Sequence, residues 1–200
     1  MNHLQNLTDL RNRYYAMRHG QSKANLQNIV ISHPENGLHE DFALSELGRK
    51  QAESAATKSL LTDQTVIYCS DFSRALETAH IVQEVLNIPA VHISKKLRER
   101  HFGKWEKLDQ SNVYQTVWGA DRQNADHTQH DVESVNAVLS RATSLILDLE
   151  KKYHGRNILL VSHGDILQIL QTGFQQSDPA KHRDLPHLEV AEIRELNLAA

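Results

Sequence analysis

The chain of 200 residues has one cysteine, Cys69. No intrachain disulfide can form, which fits a reducing compartment. Long apolar runs are also lacking. Met1–Arg13 has no hydrophobic core of signal-peptide length, and no stretch approaches membrane-spanning length. The expectation is a cytoplasmic protein with no membrane partner. Nor is there an excess of charge of one sign. The net charge is −3 with histidine neutral, so the basic surface that nucleic acid needs is missing. Any bound anion must be held by a local cationic pocket. There is no Gly-x-x-x-x-Gly-Lys phosphate loop. No repeat, low-complexity tract or linker divides the chain, so residues 1–200 are expected to form one domain. The composition, 24% charged and 40% hydrophobic, is that of a soluble globular protein.

What the chain does have is an alternation of strand-like and helix-like segments, which predicts an α/β layer architecture. Tyr14–Met17 reads as a strand. Ser45 reads as the N-cap of a helical run to about Leu61. Val66–Cys69 is a second strand. Leu76, Ala79, Val82 and Leu86 give Ser73–Leu86 a helical period, which Asn87-Ile88-Pro89 stops. Val91–Ile93 is a short strand, Val132–Tyr153 a helix, Asn157–Val161 an apolar strand and Ile166–Leu170 a helix. Glu189–Leu196 alternates loosely and reads as an edge strand. Arg98–Asp131 reads as polar and irregular, with Trp105, Tyr114 and Trp118 scattered through it. Within it, residues 104–131 are expected to form a lid or substrate wall. The aromatics there could equally belong to a satellite core. Thirteen histidines is a high count, and His127 and His130 come closest to metal-ligand spacing. They sit beside Asp126 and Asp131 in a segment that reads as a solvated loop, so no metal is expected.

Three apolar strands end in side chains able to do chemistry. Met17 leads to Arg18-His19-Gly20, Cys69 to Ser70-Asp71-Phe72-Ser73-Arg74, and Val161 to Ser162-His163-Gly164. Ligands of a doubly wound sheet bind beyond the carboxyl ends of its strands. Neighbouring strands would bring two arginines and two histidines to one crevice, which suits phosphate because the arginine fork matches its oxygens. Gly20 would allow a tight turn or close approach of a ligand, and the helix after it would aim N–H groups at an anion. Cysteine chemistry fails on spacing. A cysteine phosphatase loop needs five residues between Cys and Arg, whereas Cys69 and Arg74 enclose only Ser70 through Ser73, with no glycine. Cys69 therefore reads as a buried strand residue.

Ordered motifs then carry a resemblance. They are Arg18-His19-Gly20-Gln21-Ser22-Lys23-Ala24-Asn25, Leu44 through Ala52, Ser70 through Ala79, Leu97 through Glu106, Glu133-Ser134 with Arg141, and Val161 through Gly164. Together they resemble the histidine phosphatase superfamily in its phosphoglycerate-mutase-like branch, from about Tyr14 to Gly173. The resemblance implies a three-layer α/β/α sandwich with a mostly parallel central sheet, and a reaction with no cofactor and no metal. It makes His19 the nucleophile and Glu99 the general acid and base. Arg18, Arg74, Asn25 and His163 would hold the phosphoryl oxygens, with Gln21 and Ser22 in the substrate-binding set. Glu99 would need a raised pKa, from partial burial, to act as an acid; otherwise it merely pairs with Arg98 or Arg100. One departure is Lys107, where the family often has glycine. Another is the missing glycine before Glu133.

Mutases of this branch carry a longer, arginine-rich insertion, whereas Arg122 is the only non-histidine basic residue from Asp109 to Asp131. Hydrolysis is therefore favoured, of a sugar phosphate, bisphosphate or other small phosphate ester. Mutase-type transfer is the alternative, and a catalytically weak phospho-ligand binder is the reading from another class. The expected partner is a phosphorylated small molecule. Oligomeric state is open, a homodimer included.

Overall fold

The computed structural model describes residues 1–199. Its strands are β1 (Arg13–Arg18), β2 (Val66–Cys69), β3 (Val91–Ile93), β4 (Asn157–Ser162) and β5 (Ile193–Leu196). They form one sheet in the order β3-β2-β4-β1-β5. All pairs are parallel except β1 with β5, so Glu189–Leu196 does supply an antiparallel edge strand. The helices are α1 (Lys23–Leu26), α2 (Pro34–Gly37), α3 (Glu46–Lys58), α4 (Ser73–Leu86), α5 (Gln110–Gln123), α6 (Val135–Lys152) and α7 (Gly164–Phe174). Among the described residues, no helix is long and apolar enough to cross a membrane.

Alternation along the strands builds two cores. Tyr14 and Ala16 of β1, with Ile158 and Leu160 of β4, face α6 and α7. Met17, Ile67, Cys69, Leu159 and Val161 face α3 and α4 on the other side. Helices on both faces of a sheet make the three-layer sandwich that parallel strands require. Local chemistry sets the helix limits. The Ser45 and Ser134 hydroxyls cap α3 and α6 by accepting from the Gly48 and Ala137 N–H groups. Asn87 ends α4 in the left-handed conformation at φ 54°.

The segment 98–131 departs from its sequence reading. It is not irregular: α5 runs through its middle, capped by the Asp109 carboxylate, which accepts from the Ser111 and Asn112 N–H groups. Val113 and Val117, four apart, bury against Val30, Phe102 and Val132 in a third, smaller core. Trp105 packs on this core, so it is a satellite-core residue. His127 is not solvated either. It is buried, and its Nε2–H donates to Asp121 Oδ1 at 2.7 Å. His130 is exposed, as expected.

Candidate active site

The sheet register brings the strand ends level. Arg18 of β1 pairs with Ser162 of β4, and Cys69 of β2 pairs with Val161. The ladder continues one bond further, since His19 N–H donates to Ser162 O and Ser70 N–H to Val161 O, both at 3.0 Å. His19 and Ser70 are thus fixed by backbone bonds on either side of the end of β4, which His163 directly follows.

Glycine serves this arrangement in an unexpected way. A Cβ on Gly20 would lie 2.3 Å from Gly48 O, and one on Gly48 would lie 2.0 Å from Gln21 O. The two glycines let the start of α3 press against the loop after β1, so Gly20 admits a helix rather than a ligand. The helix after the loop is also only one turn: α1 spans Lys23–Leu26, and a Ser22–Asn25 capping box occupies its first donors. It offers little as an anion site. The longer α7 presents its N-terminus to the cleft instead, with Gly164 in the lining.

His19 is almost fully buried. Its Nδ1 lies 2.7 Å from Gly20 O. A carbonyl only accepts, so Nδ1 carries the proton and Nε2 keeps a lone pair. Arg74 Nε donates to that Nε2 at 3.0 Å. Burial, then the charges of Arg74 and Arg18, hold the His19 pKa well below the usual 6.5, and the ring is neutral. Arg74 also donates to Ile31 O at 2.9 Å, and Arg18 to His187 Nε2 at 2.7 Å and Leu188 O at 3.0 Å. Glu77 does not hold Arg74; it pairs with Arg49. Arg18 Nε and Arg74 Nη1 are buried without a protein partner. Buried charged donors of this kind gain most from an anion placed between them.

Glu99 pairs with neither flanking arginine. Arg98 makes two bonds to Asp71, at 2.7 and 2.6 Å. Arg100 makes two to Asp121, at 2.7 Å each, and one to Asp165 at 3.2 Å. Glu99 Oε1 instead accepts from the N–H groups of Arg100 at 2.9 Å and Ile166 at 3.3 Å. Burial, then the Asp165 charge, raise its pKa above the usual 4.5 against the pull of Arg74. Arg141 fixes the segment: it grips Glu133 with two bonds and donates to the carbonyls of Lys96, Arg98 and Glu99. Cys69 is buried, and its thiol is pushed up to about 12, chiefly by desolvation. It cannot compete as a nucleophile.

The cavity at these strand ends has a volume of about 180 Å³ and is lined by Arg18, His19, Asn25, Arg74 and Glu99. Ser22 lines it too, with its hydroxyl engaged by Asn25. Two expected members are placed otherwise. Gln21 is outside the lining, and its carbonyl oxygen Oε1 accepts from the Ser45 hydroxyl at 2.9 Å. His163 is buried edge-on against His19, ring centroids 5.2 Å apart, with Nε2 2.9 Å from Ser70 Oγ. It too is outside the lining. Burial and Arg74 keep its pKa well below 6.5, and its buried Nδ1 has no partner. Lys107 is exposed and does not reach the cleft. Its φ of 62° is the left-handed conformation that a glycine would adopt without strain.

The outer wall joins two aromatics of the expected substrate wall to residues that sequence reasoning missed, Asp165, Arg183 and His187. Tyr114 and Trp118 stack at 4.7 Å, at an angle of 13°, and both line the cavity with Asp165, Arg183 and His187. Asp165 Oδ1 accepts from Trp118 Nε1 at 2.9 Å. The Arg183 guanidinium lies over the Trp118 ring at 3.6 Å. No short motif marks Arg183 or His187. Only the fold-back of the chain after α7 brings them in.

The chain belongs to the histidine phosphatase superfamily (branch 1), whose family model matches residues 14–200. It is 32% identical over 169 residues to the glucosyl-3-phosphoglycerate phosphatase of Mycobacterium tuberculosis, covering 79% of this chain and 73% of that protein. It is 29% identical over 164 residues to the adenosylcobalamin/alpha-ribazole phosphatase of Escherichia coli, covering 79% and 76%. A structure of mycobacterial glucosyl-3-phosphoglycerate phosphatase with VO3 superposes with a TM-score of 0.73 at 28% identity, covering 92% of this chain and 90% of that one. Within the superfamily the chain is a phosphoric monoester hydrolase.

Proposed function

We infer that the protein hydrolyses a phosphate monoester of a small metabolite through a phosphohistidine on His19, without a metal ion. The observation that carries this reading is the state of His19: a neutral ring that borders the cavity, its Nδ1–H held by Gly20 O and its Nε2 lone pair held by the Arg74 N–H at 3.0 Å. In the first step the Arg74 N–H leaves Nε2 for a phosphoryl oxygen, the freed lone pair attacks phosphorus and the ester P–O bond breaks. The leaving oxygen takes the proton of Glu99. Charge on the phosphoryl oxygens is absorbed by Arg18 and Arg74, whose unpartnered N–H groups are already in place. In the second step water attacks phosphorus, the P–N bond breaks and the water proton passes to the Glu99 carboxylate, restoring both residues. Two arginines supply the positive charge that a metal would otherwise provide. His163 packs the His19 ring, and Asn25 borders the phosphoryl site.

The test is to trap the phosphoenzyme. Incubation with a ³²P-labelled aryl phosphate, a chelator present, is expected to leave acid-labile, base-stable label on wild-type protein and none on His19→Ala. Turnover by the variant is expected to fall at least about 10³-fold. Turnover at the wild-type rate by His19→Ala, or a strict need for added divalent ion, rejects the mechanism.

A further inference from the structure

Three arginines line the cleft, one more than the transferred phosphate needs. Arg18 and Arg74 suffice for the dianion of the transferred phosphate. His19 and His163 are held neutral, and Glu99 is the proton donor. Arg183 is a third arginine on the same cavity. It is half-buried, and among the described residues no carboxylate lies within ion-pair distance of it. The nearest candidate in the lining, Asp165, acts on Arg183 through its charge but makes its hydrogen bonds elsewhere. Its Oδ1 accepts from Trp118 Nε1 at 2.9 Å and its Oδ2 from Arg100 Nη1 at 3.2 Å.

Arg183 is nevertheless held in one orientation. Its guanidinium lies flat over Trp118 at 3.6 Å, and Nη1 donates to Gln168 Oε1. Gln168 Oε1 also accepts from Nδ1–H of His187 at 3.2 Å, whose Nε2 in turn accepts from Arg18. Arg183 is thus tied through Gln168 and His187 to the phosphate-binding arginine. A fixed, partly desolvated guanidinium with no direct ion pair, eased only by the Asp165 charge across the cleft, is stabilised when an anion docks on its free N–H groups.

We propose that Arg183, braced on Trp118 and Gln168, selects substrates that carry a second anionic group, carboxylate or phosphate, besides the phosphate to be removed. The proposal rests on the hydrolase reading above and narrows its substrate class. A neutral sugar phosphate leaves Arg183 unmatched. A phosphorylated hydroxy acid or a bisphosphate fills both ends of the cleft.

A near-isosteric pair tests it. Glycerol 3-phosphate and 3-phosphoglycerate differ in having a hydroxymethyl or a carboxylate at the far end, and fructose 1,6-bisphosphate against fructose 6-phosphate gives the phosphate arm. Wild-type kcat/KM is expected to favour the doubly anionic member of at least one pair by about tenfold or more, and the favoured arm names the group. Arg183→Gln is expected to lower that ratio about tenfold, mostly through KM. Arg183→Lys, which keeps the charge but loses the fork, is expected to retain part of it. Turnover of all four esters with wild-type ratios near one overturns the proposal and leaves the hydrolase reading standing. So does a loss in Arg183→Gln that is equal for both members of a pair, since Arg183 then grips the transferred phosphate. A wild-type protein inert toward every ester defeats the hydrolase reading itself, and the proposal with it.

Discussion

The inner cage and the outer wall of the cleft are built on different principles. The cage residues Arg18, His19 and Arg74 stand at or just past strand ends, and Glu99 on a segment clamped by Arg141. Their positions are set by sheet register and backbone bonds. The wall residues Tyr114, Trp118, Arg183 and His187 come from a helix and a C-terminal segment outside the sheet. They are held by stacking and side-chain bonds. Phosphate has a fixed geometry, so the groups that read it benefit from the stiffest part of the fold. The rest of a substrate varies, and side chains on added elements can vary with it. The buried ion group of Arg100, Asp121 and Asp165 joins the two regions. Arg100 adjoins Glu99 in the chain, while Asp165 bonds Trp118 in the wall.

The sharpest separation of cage from wall lies in the proton donor. Glu99→Gln keeps the shape and removes the proton. It is expected to lower kcat about 10²- to 10⁴-fold for alkyl phosphates, whose leaving oxygens need protonation. For a nitrophenyl phosphate the loss is expected to be far smaller. An equal loss on both substrates means that Glu99 shapes the cleft without donating a proton. The joint comes next in magnitude. Arg100→Ala leaves Asp121 buried with His127 at 2.7 Å and His182 at 3.9 Å but no arginine, and is expected to cost about 3–5 kcal/mol in urea unfolding. A loss under about 1 kcal/mol shows that the two regions are not coupled through this ion group. A smaller effect is expected from the wall alone. Trp118→Ala removes the ring under Arg183 and is expected to raise KM for metabolite esters about tenfold while kcat changes little. A fall in kcat as deep as that of Glu99→Gln erases the distinction between the regions.

This division also marks what could be read from the residues. Arg18, His19 and Arg74 were legible because they sit at short, fixed offsets from apolar runs, after Met17 and Cys69, whereas Glu99 needed the family resemblance. The sandwich was legible from the same alternation. The failures fall where long-range packing decides. α5 was read as irregular because its Ser, Asn, Gln and Thr residues obscure Val113 and Val117, although Asp109 is a good cap and the spacing is helical. Gln21 looked like a ligand residue from its place in the motif, but the glycine contact between Gly20 and Gly48 brings Ser45 to it. His127 looked solvated because its partner, Asp121, is one helical end away and buried by elements far off in sequence. Arg183 carried no local signal at all.

The finest test of how wall and cage communicate is a pH profile. Asp165 is held well below the usual carboxylate range, despite burial, by His182 and Arg100, so it is charged at any working pH. That charge helps to raise the Glu99 pKa. In the proposed mechanism Glu99 must be protonated to serve the leaving oxygen, so activity is expected to be lost as pH rises through its raised pKa. At the other end the proposed nucleophile His19 must stay neutral, and activity is expected to be lost as pH falls through its lowered pKa. The optimum is therefore expected on the acidic side. Asp165→Asn preserves the acceptor for Trp118 Nε1, and Arg100 keeps both bonds to Asp121. With the negative charge gone, the Glu99 pKa falls and the alkaline limb of kcat moves to lower pH. His19 is governed by burial, Arg74 and Arg18, so the acid limb is expected to stay in place. An alkaline limb that does not move, or that moves upward, shows that Asp165 braces the wall without tuning the acid.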